Sequence, residues 1–364
     1  MMPLLERTSR ELLFLLEPEQ AHALSLAALK SGIPVCAAPR KSSRLAQTIA
    51  GLHFPNPVGM AAGYDKNAEV PDALLRLGFG FTECGTLTPR PQEGNPKPRI
   101  FRLARDCAVI NRLGFNNEGH AAALARLSVR RSRTGIVGVN IGANRDSEDR
   151  IADYEEGVRA FAGLASYLTI NISSPNTSGL RALQERESLS ELLRRVVAAR
   201  DGTQGEVGRK VPVFLKIAPD LSEEGLSDIA AEVAEKGIDG VIVSNTTLSR
   251  SGLSNATAAE EAGGLSGKPL FERATIVLAK LRRLTGSSLP IIGVGGVHSV
   301  ETALEKMRAG ADLVQLYTGM IFEGPGLASR IVRGLDAYAE RNGLRSIAEI
   351  RDSNMQAWAD RPLD

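Results

Sequence analysis

The stretch Tyr167-Leu168-Thr169-Ile170-Asn171-Ile172-Ser173-Ser174-Pro175-Asn176-Thr177 holds the pattern from which the fold is read. Its first seven residues are uncharged and mostly apolar, with Tyr167, Leu168, Ile170 and Ile172 among them, as in a strand covered on both faces of a parallel sheet. Small polar residues around a proline then mark a loop. Helical sequence resumes over residues 188–200. Working outward, the same unit recurs. Strand-like runs at 57–62, 79–85 and 136–142 precede it, and runs at 211–217, 240–245, 290–295 and 312–317 follow. Helical stretches lie between most of them, including 155–165, 223–236, 270–284 and 300–309. Eight strands alternating with helices predict an α/β protein, a closed (β/α)8 TIM barrel. An open doubly wound sheet is the alternative.

Residues 1–38 break this rhythm. Leu5, Leu12, Leu15 and Leu16 fall near one face of a helix, and Pro18 stops that helix or opens the next. A second helical stretch carries Leu24, Ala27, Ala28 and Leu29, and Gly32-Ile33-Pro34 ends it. A linker with Pro39, Arg40 and Lys41 follows. The expected organisation is a small amphipathic helical extension over 1–38 and a barrel over 39–364. Three connections are longer than a barrel needs: 86–134, 174–187 and 246–269. Long connections in a compact domain are usually functional, and those after strands form a barrel's active-site face.

Composition narrows the function classes. Lys+Arg total 44 and Asp+Glu 42, a net charge of +2, which gives no basic footprint for nucleic acid. The three cysteines, Cys36, Cys84 and Cys107, are too few and too scattered for a disulfide framework or a metal site. The apolar run 12–16 is far shorter than the roughly 20 residues of a membrane span. No cleavable targeting signal is expected.

The strand ends supply the chemistry. The first run ends Ala61-Ala62-Gly63-Tyr64-Asp65-Lys66 and the second Gly85-Thr86. Asn140, Asn171, Lys216 and Ser244-Asn245-Thr246 mark the next four, and Gly295-Gly296 and Tyr317-Thr318-Gly319 the last two. Amides, hydroxyls and two lysines suit a flat, heteroatom-rich ring. Glycines and a threonine after strands seven and eight lie where barrels bind phosphate. FMN is the natural candidate cofactor. No metal cluster is expected. Two rival readings remain open: an aldolase using Lys216 as a Schiff-base lysine, and a membrane-attached binding barrel without catalysis.

Four segments sharpen this. Ala61–Lys66, Asn111-Arg112-Leu113-Gly114-Phe115-Asn116-Asn117, Asn171–Thr177 and Gly263-Gly264-Leu265-Ser266-Gly267 resemble the signatures of dihydroorotate dehydrogenases, over about residues 10–340. The resemblance implies oxidation of (S)-dihydroorotate to orotate in pyrimidine (UMP) biosynthesis, with FMN as hydride acceptor. It assigns FMN contacts to Ala62, Gly63, Lys66, Thr86, Asn140, Asn171, Lys216, Ser244, Gly267, Gly296, Tyr317 and Thr318. Substrate contacts fall to Lys66, Asn111, Arg112, Leu113, Gly114, Phe115, Asn171, Asn176, Asn245 and Thr246. It implies that Ser174 is the catalytic base, with Thr177 in a relay and Phe115 in the catalytic group. A serine base, together with the N-terminal helices, resembles the membrane-associated, quinone-reducing class, in which His22, Arg102 and Tyr317 would lie along the quinone path. That class implies peripheral membrane contact on the cytoplasmic side, if the source is bacterial. No nucleic-acid or obligate protein partner is expected, and the chain is expected to act as a monomer.

Overall fold

The computed structural model describes residues 4–33, 36, 39, 41–254 and 260–363, with side chains from residue 10 onward. The expectations placed on the Leu5 side chain, Pro34, Arg40 and the boundary at residue 38 lie outside the described residues. Eight parallel strands close a barrel: β3 (Val58–Met60), β4 (Phe81–Leu87), β7 (Ile136–Ile141), β8 (Tyr167–Asn171), β9 (Val213–Ile217), β10 (Gly240–Val243), β12 (Ile291–Val294) and β13 (Leu313–Leu316). All eight expected runs are strands, and closure between β13 and β3 removes the open-sheet alternative. Helices Arg150–Phe161, Arg186–Val207, Glu223–Lys236, Phe271–Thr285 and Val300–Arg308 match the expected stretches to within a few residues, apart from longer ends on the first two. The first starts early because the Asp149 side chain accepts the Ile151 and Ala152 N–H groups as an N-cap.

The barrel floor is sealed by apolar rings. A short antiparallel hairpin, β1 (Gln47–Ile49) with β2 (Leu52–Phe54), brings Phe54 against Phe81, Tyr167, Phe214, Ile242, Ile292 and Leu313. Two residues further along the strands, the interior turns polar. Glu83, Asn140, Lys216 and Gln315 are all buried there. Side chains on a strand alternate with period two, so an inward Phe81 places Glu83 inward as well.

Two of the long connections carry further strands. β5 (Ile100–Leu103) and β6 (Ala108–Asn111) arise from the loop after β4, and β11 (Gly264–Gly267) from the loop after β10. They form one antiparallel sheet in the order β11-β6-β5.

The N-terminal pair is α1 (Leu4–Leu15) and α2 (Pro18–Lys30). Pro18 opens the second helix, and the Glu17 side chain caps it by accepting the Glu19 and Gln20 N–H groups. The guanidinium of Arg102 on β5 donates to the carbonyls of Leu13, Phe14 and Leu16, satisfying the end of α1. The Arg99–Glu19 ion pair ties α2 to the same region. Leu12 and Leu15 remain 61% and 83% exposed. Among the described residues no helix is long and apolar enough to cross a membrane.

Candidate active site

One cavity of about 440 Å³ runs from the C-terminal ends of the strands to the gap between the barrel and helices α1 and α2. Its walls bring together all but three of the residues singled out from sequence. Lys66, Ser174, Lys216, Asn245 and Tyr317 share it with Leu13, Phe14, His22 and Arg102. The exceptions are Asn140, Thr177 and Arg112, which do not line it.

Asn140 lies beneath the wall and orients it. Thr86 Oγ1 donates to Asn140 Oδ1 at 2.6 Å, and Asn171 Nδ2 donates to Thr86 Oγ1 and Asn140 Oδ1 at 2.9 and 3.1 Å. Asn245 Nδ2 donates to Ser173 Oγ at 3.0 Å, and that hydroxyl donates to Asn171 Oδ1 at 2.9 Å. The amides that face the cavity are therefore held in fixed orientations by buried partners.

Both lysines line the cavity, and no hydrogen bond or ion pair joins either ammonium to another described residue. Burial lowers the Lys66 pKa to about 8, opposed by the field of Glu19. Burial also lowers that of Lys216. Two enclosed cations without partners favour an anionic or electron-rich ligand.

Ser174 is buried, and its Oγ accepts the Asn176 N–H at 3.2 Å. Asn176 Nδ2 in turn donates to Asn111 Oδ1 at 3.2 Å. Thr177 Oγ1 and Thr246 Oγ1 are buried with no hydrogen-bond partner, an arrangement that calls for a ligand or a water. Phe115 has φ +55. A bulky residue in the left-handed region is strained, and such strain concentrates at functional sites. The loop after Ser174 is pinned: Arg181 donates to Ser173 O and Thr246 O and pairs with Asp220 at 2.9 Å.

At the far end Gly267, Gly296 and Thr318 converge. A Cβ on Gly296, whose φ is +73, would lie 2.4 Å from Phe271 Cβ, so only glycine fits this turn. Thr318 opens the helix Thr318–Glu323, whose first amides have no acceptor in their own helix and suit a phosphate.

Around the α1–α2 opening the cavity becomes aromatic. His22, Tyr64 and Tyr317 pack edge to face or tilted, with centroids 5.1–6.4 Å apart. Tyr317 OH lies 3.5 Å from His22 Nδ1. Burial, with the field of Lys66 adding to it, lowers the His22 pKa to about 3, so this imidazole is neutral at neutral pH.

Arg112 is the residue whose side chain departs most from its expected place. Its guanidinium pairs with Glu261 at 2.7 Å and covers the Phe101 ring, directed away from the cavity. Conversely, the sequence reading passed over Asn116, whose unpartnered Oδ1 is buried on the cavity wall, and Glu83 below Asn140. Asn116 stands inside the Asn111–Asn117 motif, which was the available signal. Glu83 could have been found from period two, counting inward from Phe81.

A sequence profile described as dihydroorotate dehydrogenase matches residues 44–338. The chain belongs to the dihydroorotate dehydrogenase family. It is 74% identical over 363 residues to a "Dihydroorotate dehydrogenase (quinone)" from Chelativorans sp., with both chains fully covered. A protein of the same name from Sinorhizobium fredii is 67% identical, with 98% of each chain covered. A crystal structure of ligand-free type DHODH from Eimeria tenella superposes with a TM-score of 0.88 at 38% identity, covering 95% of this chain and 100% of that one. Membership in this dehydrogenase family sets aside the aldolase and the non-catalytic readings.

Proposed function

We propose that this chain oxidises (S)-dihydroorotate to orotate in pyrimidine biosynthesis, through FMN, and delivers the electrons to a membrane quinone. The observation that carries this reading is the single cavity, which joins a polar, strand-end chamber to an apolar opening between two helices. The family is generally flavin-dependent. The residues present fit FMN: a glycine-lined turn and the first amides after β13 for the phosphate, oriented amides around a ring, and unpaired Lys66 and Lys216 beside it.

When bound, FMN supplies the hydride acceptor. Every other task falls to side chains of this chain. Asn111, Asn176, Asn245 and Thr246 offer donors and acceptors to the pyrimidine amide edges, and Lys66 neutralises the substrate carboxylate. Ser174 removes the proton from C5. A serine hydroxyl must shed its own proton as it accepts one, so it needs a relay. The unpartnered Thr177 hydroxyl, bridged by a water, provides that path. Leu113, Gly114 and the strained Phe115 shape the wall against which the ring is held. Arg112 acts through its backbone and through the Glu261 pair that anchors its segment.

The quinone enters between α1 and α2 and reaches Tyr317 past His22 and Arg102. Neutral His22 can donate its ring N–H to a quinone carbonyl without adding charge to an apolar channel. Residues 1–38 serve as a quinone-entry module on the barrel of 39–364. Their exposed leucines rest on the cytoplasmic face of the cell membrane as a peripheral contact. The protein acts as a monomer.

The test is the choice of oxidant. With dihydroorotate as donor, the purified protein should form orotate catalytically with a ubiquinone analogue, and not with fumarate or NAD as the sole acceptor. Turnover with fumarate or NAD at the quinone rate would contradict the quinone assignment.

A further inference from the structure

Glu83 is a fully buried carboxylate in the barrel interior that no catalytic role has claimed. It joins four strands. Oε1 accepts Asn140 Nδ2 at 2.7 Å, while Oε2 accepts Tyr167 OH and Gln315 Nε2, each at 3.0 Å. The partners sit on β7, β8 and β13, and β8 and β13 are not neighbours in the barrel, so these bonds span its interior. The arrangement is built into the sequence. Gly138 faces Tyr167 in register, and a Cβ there would lie 2.2 Å from the Tyr167 ring. The missing side chain makes room for that ring, whose hydroxyl meets Glu83 above the apolar floor.

Three donors and no acceptor surround the carboxyl group, a set that an ionised carboxylate satisfies fully. Two consequences follow. Because Glu83 takes the Asn140 NH2, the Asn140 carbonyl must face Thr86 and Asn171, and those two side chains line the cavity. Glu83 is also the one opposite charge among the described residues whose field holds up the pKa of Lys216. An enclosed lysine without a counter-charge would strongly favour electron-rich ligands; a buried carboxylate tempers that preference.

We propose that Glu83 is a positioning residue for the flavin site: it fixes the orientation of the Asn140–Thr86–Asn171 amide and hydroxyl network and offsets the charge of Lys216, thereby setting how readily the bound flavin takes up electrons. The proposal rests on the FMN reading above. Glu83 itself does not line the cavity, so it acts only through its neighbours.

Two variants separate the two effects. Glu83→Gln removes the charge and keeps the shape. Its carbonyl can still accept from Asn140, and although its NH2 faces the donors Tyr167 OH and Gln315 Nε2, a flip of the Gln315 amide brings its buried, unpaired Oε1 round to accept the new donor. The midpoint potential of the bound flavin, measured by spectroelectrochemical titration at neutral pH, should rise, with orotate affinity within about twofold of the parent. Glu83→Asp keeps the charge but withdraws it by one methylene from Asn140. Its potential should stay near the parent value, while FMN affinity of the apoprotein and orotate affinity of the holoprotein fall about tenfold, the usual scale for unmaking a buried hydrogen bond. A parent-like or lowered potential in Glu83→Gln overturns the charge role. Parent-like affinities in Glu83→Asp overturn the positioning role, and that arm stands even if Glu83→Gln does not fold. If the parent binds FMN and the variants show neither effect, this inference alone is contradicted, whereas a parent without flavin contradicts the reading beneath it.

Discussion

Replacing Ser174 by alanine should slow reduction of the bound flavin by dihydroorotate by about 10²–10⁴-fold, the usual contribution of a positioned general base. Several observations make the loss large. Ser174 is buried at the root of the loop after β8, on the cavity wall, with its oxygen oriented by the Asn176 N–H. No histidine, cysteine or carboxylate stands beside it in the Asn171–Thr177 segment to take over. Removing one hydroxyl leaves the Thr86–Asn140–Asn171 network untouched, so FMN content and orotate affinity should stay near the parent values. Anaerobic stopped-flow reduction measures the step directly. A single-turnover rate within a fewfold of the parent would remove Ser174 from the mechanism.

The second large effect belongs to the helical pair. Deleting residues 1–38 should leave a yellow protein that dihydroorotate still reduces, while reoxidation by a long-tailed quinone collapses and lipid vesicles no longer retain the protein. Among the described residues of the pair only Leu29 is buried. The deletion therefore takes little from the barrel core, where a buried leucine contributes about 1.5–3 kcal/mol. It does take His22, Leu13 and Phe14 from the cavity wall, and with them the proposed quinone route. The ties to be cut include Arg10 to the Phe322 carbonyl, Arg102 to the α1 carbonyls, Arg99 and Lys97 to Glu19, Lys30 to Glu69, and Ser25 Oγ to Tyr64 OH at 3.0 Å. Equal long-tail quinone turnover in the truncated and intact proteins would sink the entry-module idea. Loss of FMN on truncation would make the helices structural parts of the barrel instead.

The barrel was legible because each parallel strand is buried on both faces and so reads as an apolar run. The strand-end residues were legible for a related reason: after such a run, a lysine or asparagine stands out. Inside the runs the same logic misleads. Glu83 and Gln315 sit within strands whose overall character is apolar, and only the alternation from Phe81 and Leu313 marks them as interior polar groups. The β11-β6-β5 sheet was invisible for another reason. Its strands are four residues each, and the β6–β11 pairing, for instance Asn111 with Gly264, spans about 150 residues. No local pattern encodes such a contact. Arg112 shows the limit of motif transfer: its place in the segment is set, but the direction of its side chain depends on Glu261, from a distant loop.

Whether one cavity couples dihydroorotate oxidation to quinone reduction through a flavin is decided by an anaerobic absorption experiment on the purified intact protein. The protein should show a flavin spectrum that bleaches when dihydroorotate is added, with one orotate formed per flavin, and that returns when a ubiquinone analogue is then supplied. A colourless protein, or a flavin spectrum unchanged by dihydroorotate, would contradict it.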